Sequence, residues 1–166
     1  MARAGEVVLR AGRRPLAWAE GAGPALPSSF TVMAWRDEAH GLAAARRGQD
    51  VVMAPHLTTY LDYAEYPENT DRPGEPPAQP GHSIPLRAVQ AYDPDVHDRV
   101  LGTQAQLWTE YLPTPHLIEY RAFPRLAALA ESAWSGPAPW HDFHHRLTHH
   151  RARLDALGVP QSPTRR

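Results

Sequence analysis

Two short and almost entirely apolar segments, separated by a helix-like segment, constrain the fold most strongly. The segments are FTVMAW (residues 30–35) and DVVMAP (residues 50–55), and DEAHGLAAARRG lies between them. Continuous apolar runs of this length are typical of parallel strands that are buried on both faces. Asp37 is placed to cap the intervening helix, and Gly48 stands just beyond its end. The alternation of strand, helix and strand with short connections predicts an α/β fold.

Further predicted elements extend this alternation on both sides. In chain order they are the end of a helix at 3–12, a strand within 13–20, a fourth strand within 100–108, a helix at 116–134 with a kink near Pro124, and an amphipathic helix at 140–158. The first strand is expected to place Leu16 and Trp18 on one face. The inner side of the last helix is predicted to carry Phe143, Leu147, Leu154 and Leu157.

The stretch from residue 58 to about residue 100 shows no sustained periodicity and is rich in proline. Stretches this long without regular structure are usually functional loops, linkers or disordered segments. Its beginning carries aromatic side chains that a plain linker does not need, at Tyr60, Tyr63 and Tyr66. We therefore predict a long active-site loop over about residues 58–100.

Length and composition exclude several classes of protein. The 166 residues correspond to one domain or to a piece of a larger one, and we predict one domain over 1–160 with a disordered tail at 161–166. A net charge of -1 leaves no basic footprint for nucleic acid. The absence of cysteine excludes disulfides, thiolate zinc sites and a cysteine nucleophile. No apolar run is long enough for a membrane helix, and the first residues do not read as a secretory signal.

Large aromatic or acidic side chains recur after the predicted strands. In chain order they are Trp18, Trp35, Tyr60 with Asp62, and Trp108 with Glu110. The carboxyl ends of parallel strands, together with the loops that follow them, build the functional sites of α/β folds. Aromatic rings suit the apolar C–H faces of a sugar, and carboxylates accept hydrogen bonds from its hydroxyl groups. The recurrence therefore indicates a sugar-binding site.

Each of these residues also has a plain structural interpretation. A single tryptophan at a strand end is about as often part of the core as part of a site. Tyr60 and Asp62 alone are compatible with a loop anchor and a turn cap, and Glu110 alone with a solvated carboxylate. Only the repetition of similar residues at equivalent places on successive strands favours the functional interpretation.

Three segments resemble the carboxyl-terminal half of a family-20 glycoside hydrolase, a β-N-acetylhexosaminidase. They are DVVMAPHLTTYLDYAEY, LGTQAQLWTEY and YRAFPRLAALAESAWS, and the resemblance covers about residues 3–160. The order of YLD, LWTE and FPRLAALAE is specific, although each alone is weak. The resemblance implies a (β/α)8 TIM barrel, of which this chain holds roughly strands five to eight with their helices.

The resemblance also implies a role for each candidate site residue. Trp18, Trp35 and Trp108 enclose the 2-acetamido group of a terminal N-acetylglucosamine or N-acetylgalactosamine. Tyr60 donates a hydrogen bond to the acetamido carbonyl and orients it. Asp62 and Glu110 hold sugar hydroxyls, those at carbons 4 and 6. Family members retain configuration through substrate assistance, in which the acetamido oxygen attacks the anomeric carbon. No metal or organic cofactor is implied.

The family's catalytic acid and orienting carboxylate form an Asp-Glu pair that we expect upstream of Met1. The chain contains one such dipeptide, Asp37-Glu38, and it occupies a helix start, where acidic side chains favour the helix dipole. We therefore expect a chain with little or no hydrolytic activity by itself. The alternatives are a non-catalytic sugar-binding or complementing half-barrel, which pairs with an amino-terminal half or with itself, and an inactive truncated product.

A histidine-rich segment, HDFHHRLTHH, lies on the last predicted helix. His145 and His149 are separated by four residues and share a helix face, which is the spacing of a metal-ligating pair. No motif ties a third ligand to them, so a solvated helix face is the favoured interpretation.

Overall fold

The computed structural model describes residues 2–21, 26–66 and 75–163, which form two compact units. The first unit comprises Met1–His56 and Pro94–Gln104, and the second comprises Leu57–Asp93 and Ala105–Arg166. The strands are β1 (Leu16–Trp18), β2 (Thr31–Ala34), β3 (Val51–Met53), β4 (Tyr63–Ala64), β5 (Gln79–Ser83) and β6 (Val100–Thr103). The helices are α1 (Ala2–Arg10), α2 (Glu38–Arg46), α3 (His56–Thr59), α4 (Leu86–Gln90), α5 (Pro115–Ala122), α6 (Arg125–Ser135) and α7 (Trp140–Ala156).

A four-stranded parallel sheet organises the first unit. Its strand order is β1-β2-β3-β6, and every neighbouring pair is parallel. Val32 lies opposite Val51, which in turn lies opposite Val100. Val32 and Val51 are fully buried, as continuous apolar runs predict for central parallel strands. The α/β prediction from the alternating pattern is confirmed.

Helix α2 lies close to the central strands of this sheet. Asp37 caps it by accepting a hydrogen bond from the backbone N–H of His40 at 3.0 Å. Gly41 is buried, and a Cβ built at this position would meet Ala34 Cβ at 3.0 Å and Met53 Sδ at 2.6 Å. A larger residue at this position would therefore have to displace the Met53 side chain and press on Ala34, whereas glycine allows the close approach of helix and sheet.

The second unit is mainly helical and carries a two-stranded sheet of β4 and β5. Its helices α5 and α6 are separate, because the chain between Ala122 and Arg125 is extended at Phe123 and continues into Pro124. Proline lacks the N–H that a continuous helix needs, so the break is sharper than the kink predicted there. Helix α7 buries Phe143, Leu147 and Leu154 as expected.

Three expectations from the sequence need correction. Leu157 lies beyond α7 and is 76% exposed, so it does not belong to the inner side. The stretch predicted as irregular contains short elements, namely β4, β5 and α4, which are too short to show periodicity. Residues 161–163 are not a disordered tail: Ser162 is 1% exposed and donates a hydrogen bond from its backbone N–H to Phe123 O at 2.9 Å. The remaining tail residues lie outside the described residues.

The exposure pattern of β1 agrees with the prediction that Leu16 and Trp18 share one face. Leu16 is 49% exposed, Trp18 is half-buried, and Ala17 between them is buried. β1 is an edge strand of the sheet, and the face that carries Leu16 and Trp18 is the more exposed one. Within the described part of the chain, no helix is long and apolar enough to cross a membrane.

Candidate functional site

In the second unit, two segments distant in sequence bring Tyr60 and Trp108 together. A short parallel bridge pairs Tyr60 with Gln106. Gln106 accepts a hydrogen bond from the N–H of Leu61 at 2.8 Å and donates one to the carbonyl of Thr59 at 2.9 Å. The ring centroids of Tyr60 and Trp108 are 6.1 Å apart, at an interplanar angle of 51°. The bridge therefore places one phenol and one indole side by side.

Asp62 is the most unusual residue in this region. Its side chain is fully buried, and neither carboxylate oxygen forms a hydrogen bond among the described residues. Burial raises the pKa of Asp62, whereas the nearby backbone N–H groups of Asp62 and Trp108 and the charge of Arg125 act to lower it. The charge of Glu110 also raises the pKa of Asp62.

A buried carboxylate without a hydrogen-bond partner normally destabilises a protein, because it has lost water and gained nothing in return. Such a group is well suited to accept a hydrogen bond from a ligand hydroxyl. Asp62 follows Tyr60 in the same turn, and its neighbour Trp108 remains 42% exposed. The region thus combines an accessible apolar ring with an acceptor that has no partner among the described residues.

The sequence predicts that Trp108 and Glu110 end the fourth strand of the sheet, and this prediction is wrong. Strand β6 ends at Thr103, and both residues lie further along the chain, in the second unit. Gly102 in β6 has a φ of 144°, and the register with β3 shifts between Val51 and Val52. The strand is therefore short and irregular, and the chain leaves the four-stranded sheet after Thr103.

In the first unit, Trp18 and Trp35 lie at the carboxyl ends of neighbouring parallel strands. Trp18 is the last residue of β1, and Trp35 directly follows β2. The indole Nε1–H of Trp35 donates a hydrogen bond to the carboxylate of Glu20. Trp18 and Glu20 both line a cavity of about 610 Å³ in this unit. The prediction that tryptophans stand at two strand ends is confirmed.

The surroundings of Trp35 fix its ring on two further sides. The His56 ring contacts it edge-on at a centroid distance of 5.6 Å, and the guanidinium of Arg36 lies 5.1 Å from the ring centroid. His56 Nδ1 also lies 3.0 Å from the carbonyl oxygen of Arg36. Glu20 was not among the predicted site residues, because its only signal in the sequence is that it is an acidic residue two positions after Trp18.

Asp37 and Glu38 behave as a helix start. Asp37 accepts a hydrogen bond from the backbone of His40, and its carboxylate lies 2.7 Å from His40 Nδ1. The side-chain hydrogen bond from His40 is the main cause that lowers the pKa of Asp37. These contacts account for both the position and the charge of the dipeptide.

Replacing Asp37 by alanine is expected to lower the free energy of unfolding by about 1 kcal/mol, because the cap of α2 is lost. Asp37→Asn should preserve most of this stability, since an asparagine side chain also caps helices. Neither change should affect sugar binding. Urea denaturation and sugar titration of both variants test this; loss of binding in the stable Asp37→Asn variant would contradict the assignment.

The histidine-rich face of α7 does not form a metal centre by itself. The rings of His145 and His149 are in edge-on contact at a centroid distance of 5.4 Å. Among the residues that the structure describes, no group of three or more histidine, cysteine, aspartate or glutamate side chains is arranged to hold a metal ion.

The first unit has a parallel α/β sheet with tryptophans at the carboxyl ends of two neighbouring strands, the end at which TIM barrels carry their sites. The model of the family "Glycosyl hydrolase family 20, catalytic domain" matches residues 1–137. The chain therefore belongs to glycosyl hydrolase family 20.

The sequences and structures of similar proteins also support membership of this family. The chain is 39% identical to a beta-hexosaminidase of Porphyromonas gingivalis over 95% of its own length and 21% of that protein. It is similar to the exo beta-N-acetylglucosaminidase of Vibrio harveyi in complex with N-acetylglucosamine, with a TM-score of 0.84, 31% identity, and coverage of 96% of this chain and 26% of that one. For the beta-N-acetylhexosaminidase of Streptomyces coelicolor, the TM-score is 0.81, the identity 27% and the coverages 99% and 36%. The chain thus spans about a fifth to a third of the length of these relatives.

Proposed function

We propose that the chain is the carboxyl-terminal half of a β-N-acetylhexosaminidase barrel. In this proposal β1, β2, β3 and β6 are strands five to eight, and the complete enzyme removes terminal N-acetylglucosamine or N-acetylgalactosamine with retention of configuration. The observation that carries the proposal is the buried carboxylate of Asp62, which lacks a hydrogen-bond partner among the described residues and lies beside the Tyr60 and Trp108 pair. The match to family 20 supports it.

Each candidate residue has a proposed role in binding an N-acetylhexosamine. The indoles of Trp18, Trp35 and Trp108 contact the acetamido group, and the Tyr60 hydroxyl donates to its carbonyl oxygen. Asp62 and Glu110 accept hydrogen bonds from sugar hydroxyls at carbons 4 and 6. The ligand is therefore a glycan that ends in an N-acetylhexosamine. We expect neither a nucleic acid nor a membrane as a partner.

The proposed chemistry needs groups that this chain does not supply. The acetamido oxygen of the substrate attacks the anomeric carbon, and Tyr60 stabilises the carbonyl as it polarises. A general acid must protonate the leaving oxygen, and a second carboxylate must orient the acetamido group. Asp37 and Glu38 are engaged at the start of α2, so we propose that the family's Asp-Glu pair comes from a segment outside these residues.

An activity assay of the chain by itself tests whether the catalytic Asp-Glu pair comes from another segment. We expect the chain to turn over a chromogenic N-acetylglucosaminide at least about a thousandfold more slowly than a complete relative, because the general acid and the orienting group are missing. Adding the preceding barrel segment of a close relative should restore turnover. Robust turnover by the chain alone would show that the placement of the catalytic pair is wrong.

Replacing Trp108 by alanine is expected to weaken the binding of a methyl N-acetyl-β-glucosaminide by about 1–3 kcal/mol, because a large apolar contact is lost. Trp134, which is 90% exposed, provides the matched control, and Trp134→Ala should leave binding unchanged. Isothermal titration or NMR titration gives both values. Equal binding by the two variants would place Trp108 outside the site.

A second candidate function is that of a complementing half-barrel. The edge strands β1 and β6 each pair with one neighbour among the described residues, and they expose Leu16 (49%) and Leu101 (58%). Open parallel edges of this kind attract further strands, from an amino-terminal half or from a second copy. Gel filtration and thermal melting together distinguish the possibilities. A monomer that melts cooperatively argues against self-association, and the absence of a cooperative transition indicates an inactive truncated product.

A further inference from the structure

A buried arginine holds the backbone on both sides of Asp62. Arg125 Nη2 donates a hydrogen bond to the carbonyl of Leu61 at 2.6 Å, and Nη1 donates to the carbonyl of Tyr63 at 3.1 Å. The same guanidinium also donates to the carbonyls of Ile84 at 3.2 Å and Arg121 at 2.9 Å. One side chain therefore joins four backbone carbonyls, two of which belong to the residues that flank Asp62.

This arrangement is unusual because no described side chain forms a direct ion pair with the guanidinium. Arg125 is fully buried, and burial lowers its pKa to about 10, with the charge of Glu65 the strongest effect in the opposite direction. A charge held inside a protein at this cost must satisfy its donors with well-placed acceptors. The four carbonyls provide them for Nη1 and Nη2, whereas Nε has no hydrogen-bond partner among the described residues. The local backbone and the two Nη groups therefore determine each other's position.

The position of Asp62 depends on the same backbone. Neither carboxylate oxygen of Asp62 forms a hydrogen bond to a described side chain, and the nearby N–H groups that act on its pKa belong to the backbone of Asp62 and Trp108. The direction of this carboxylate is then set by the main chain from Leu61 to Tyr63, whose two carbonyls are held by Arg125. The planar guanidinium presents several donors in a fixed fork, whereas a lysine ammonium is a single point on a flexible stem. A lysine at this position keeps the charge but does not hold two carbonyls in register.

We propose that Arg125 is a positioning residue for sugar recognition, which acts by holding the backbone that aims Asp62 at a ligand hydroxyl. The inference rests on the proposed function, because it assigns Arg125 to the binding of the same sugar. In this proposal the geometry of the site depends on helix α6, although no side chain of that helix contacts the ligand. Arg125 does not touch the sugar and is not itself catalytic.

The experiment compares three sugars in the full 166-residue chain. The probes are methyl 2-acetamido-2-deoxy-β-D-glucopyranoside and its 4-deoxy and 6-deoxy derivatives, with dissociation constants from NMR titration. In the wild-type chain, removal of the hydroxyl that donates a hydrogen bond to Asp62 should weaken binding about tenfold. This is the effect expected for a hydrogen bond to a charged group. In Arg125→Lys this ratio should fall below about threefold.

The matched control is Arg121→Lys. Arg121 is also fully buried in the second unit, but its guanidinium bonds to Glu75 and to the carbonyls of Pro76 and Pro77. This variant should retain the tenfold ratio. A purely structural role for Arg125 weakens the parent and deoxy sugars equally, so an unchanged ratio in Arg125→Lys would overturn the proposal.

A second measurement decides the question if Arg125→Lys does not fold. In the wild-type chain, the carbonyl ¹³C resonances of Leu61 and Tyr63 should respond to the parent sugar and not to the derivative that lacks the Asp62-bound hydroxyl. Equal responses to both sugars would overturn the proposal. If the wild-type chain binds the parent sugar but the ratio test fails, only the role of Arg125 is wrong. If the wild-type chain binds neither sugar, the proposed function itself fails and this inference with it.

Discussion

Replacing Arg125 by methionine is expected to lower the free energy of unfolding by about 3–5 kcal/mol, a large part of the stability of a domain of this size. Methionine has a similar length and is apolar, so the loss does not come from an empty cavity. It comes from four carbonyls that lose a charged donor inside the protein and from Glu65, which stays buried and loses the stronger of the two arginine charges that act on it.

A double-mutant cycle with Glu65 separates these two causes. Glu65 is 1% exposed and accepts a hydrogen bond from Ser162 Oγ, which a glutamine can also accept. Burial raises the pKa of Glu65, whereas the charge of Arg125 acts to lower it. The Glu65→Gln and Arg125→Met double variant should therefore recover about 1 kcal/mol or more relative to Arg125→Met alone. Urea denaturation of the four proteins gives the cycle, and an Arg125→Met variant within about 1 kcal/mol of wild type would contradict it.

Replacing Asp62 by asparagine is expected to have opposite effects on stability and on binding. At pH 7.5 the variant should be more stable than the wild type by about 1–3 kcal/mol, because a buried carboxylate that lacks a hydrogen-bond partner among the described residues is replaced by a neutral group. Binding of the parent sugar should weaken about tenfold, since a neutral acceptor forms a weaker hydrogen bond. The carboxylate of Asp62 is thus expected to lower the stability of the fold and to strengthen ligand binding.

The pH dependence of this stability difference identifies its cause. Burial raises the pKa of Asp62 in the folded state, so the folded protein holds this proton more tightly than the unfolded chain. The contribution of Asp62 to the free energy of unfolding is therefore favourable below the pKa that Asp62 has in the unfolded chain. It is lost as the pH rises through the pKa that Asp62 has in the folded protein. The stability advantage of Asp62→Asn should be smallest near pH 3.5 and grow towards pH 7.5. A difference that stays constant over this range would contradict the role of burial.

The sheet was predictable because its central strands are buried on both faces and therefore appear as continuous apolar runs. Phe30–Trp35 and Asp50–Pro55 carried that pattern, and β2 and β3 lie within them. The cap of α2 was predictable because Asp37 and Gly48 are local signals with a known backbone requirement. Trp18 and Trp35 were found for the same reason, since a strand end is visible in the sequence.

The features that were not predictable depend on contacts between distant segments. Residues 59–61, which directly precede the buried Asp62, pair with the distant Gln106, and a sequence does not show that pairing. The role of Arg125 depends on carbonyl groups, which every residue has and no sequence pattern distinguishes. The same limit applies to β4, β5 and α4, whose few residues give no measurable period.

The central claim is that particular indole rings of this chain contact an N-acetylhexosamine, and the five tryptophans allow a direct test. The indole N–H signals of a ¹⁵N-labelled chain, assigned by single Trp→Phe variants, are followed while methyl N-acetyl-β-glucosaminide is added, with methyl β-glucoside as the control sugar. We predict that the signals of Trp18, Trp35 and Trp108 shift with the N-acetylated sugar alone, and that those of Trp134 and Trp140 do not move. Shifts confined to Trp134 and Trp140, or identical responses to both sugars, would contradict the account.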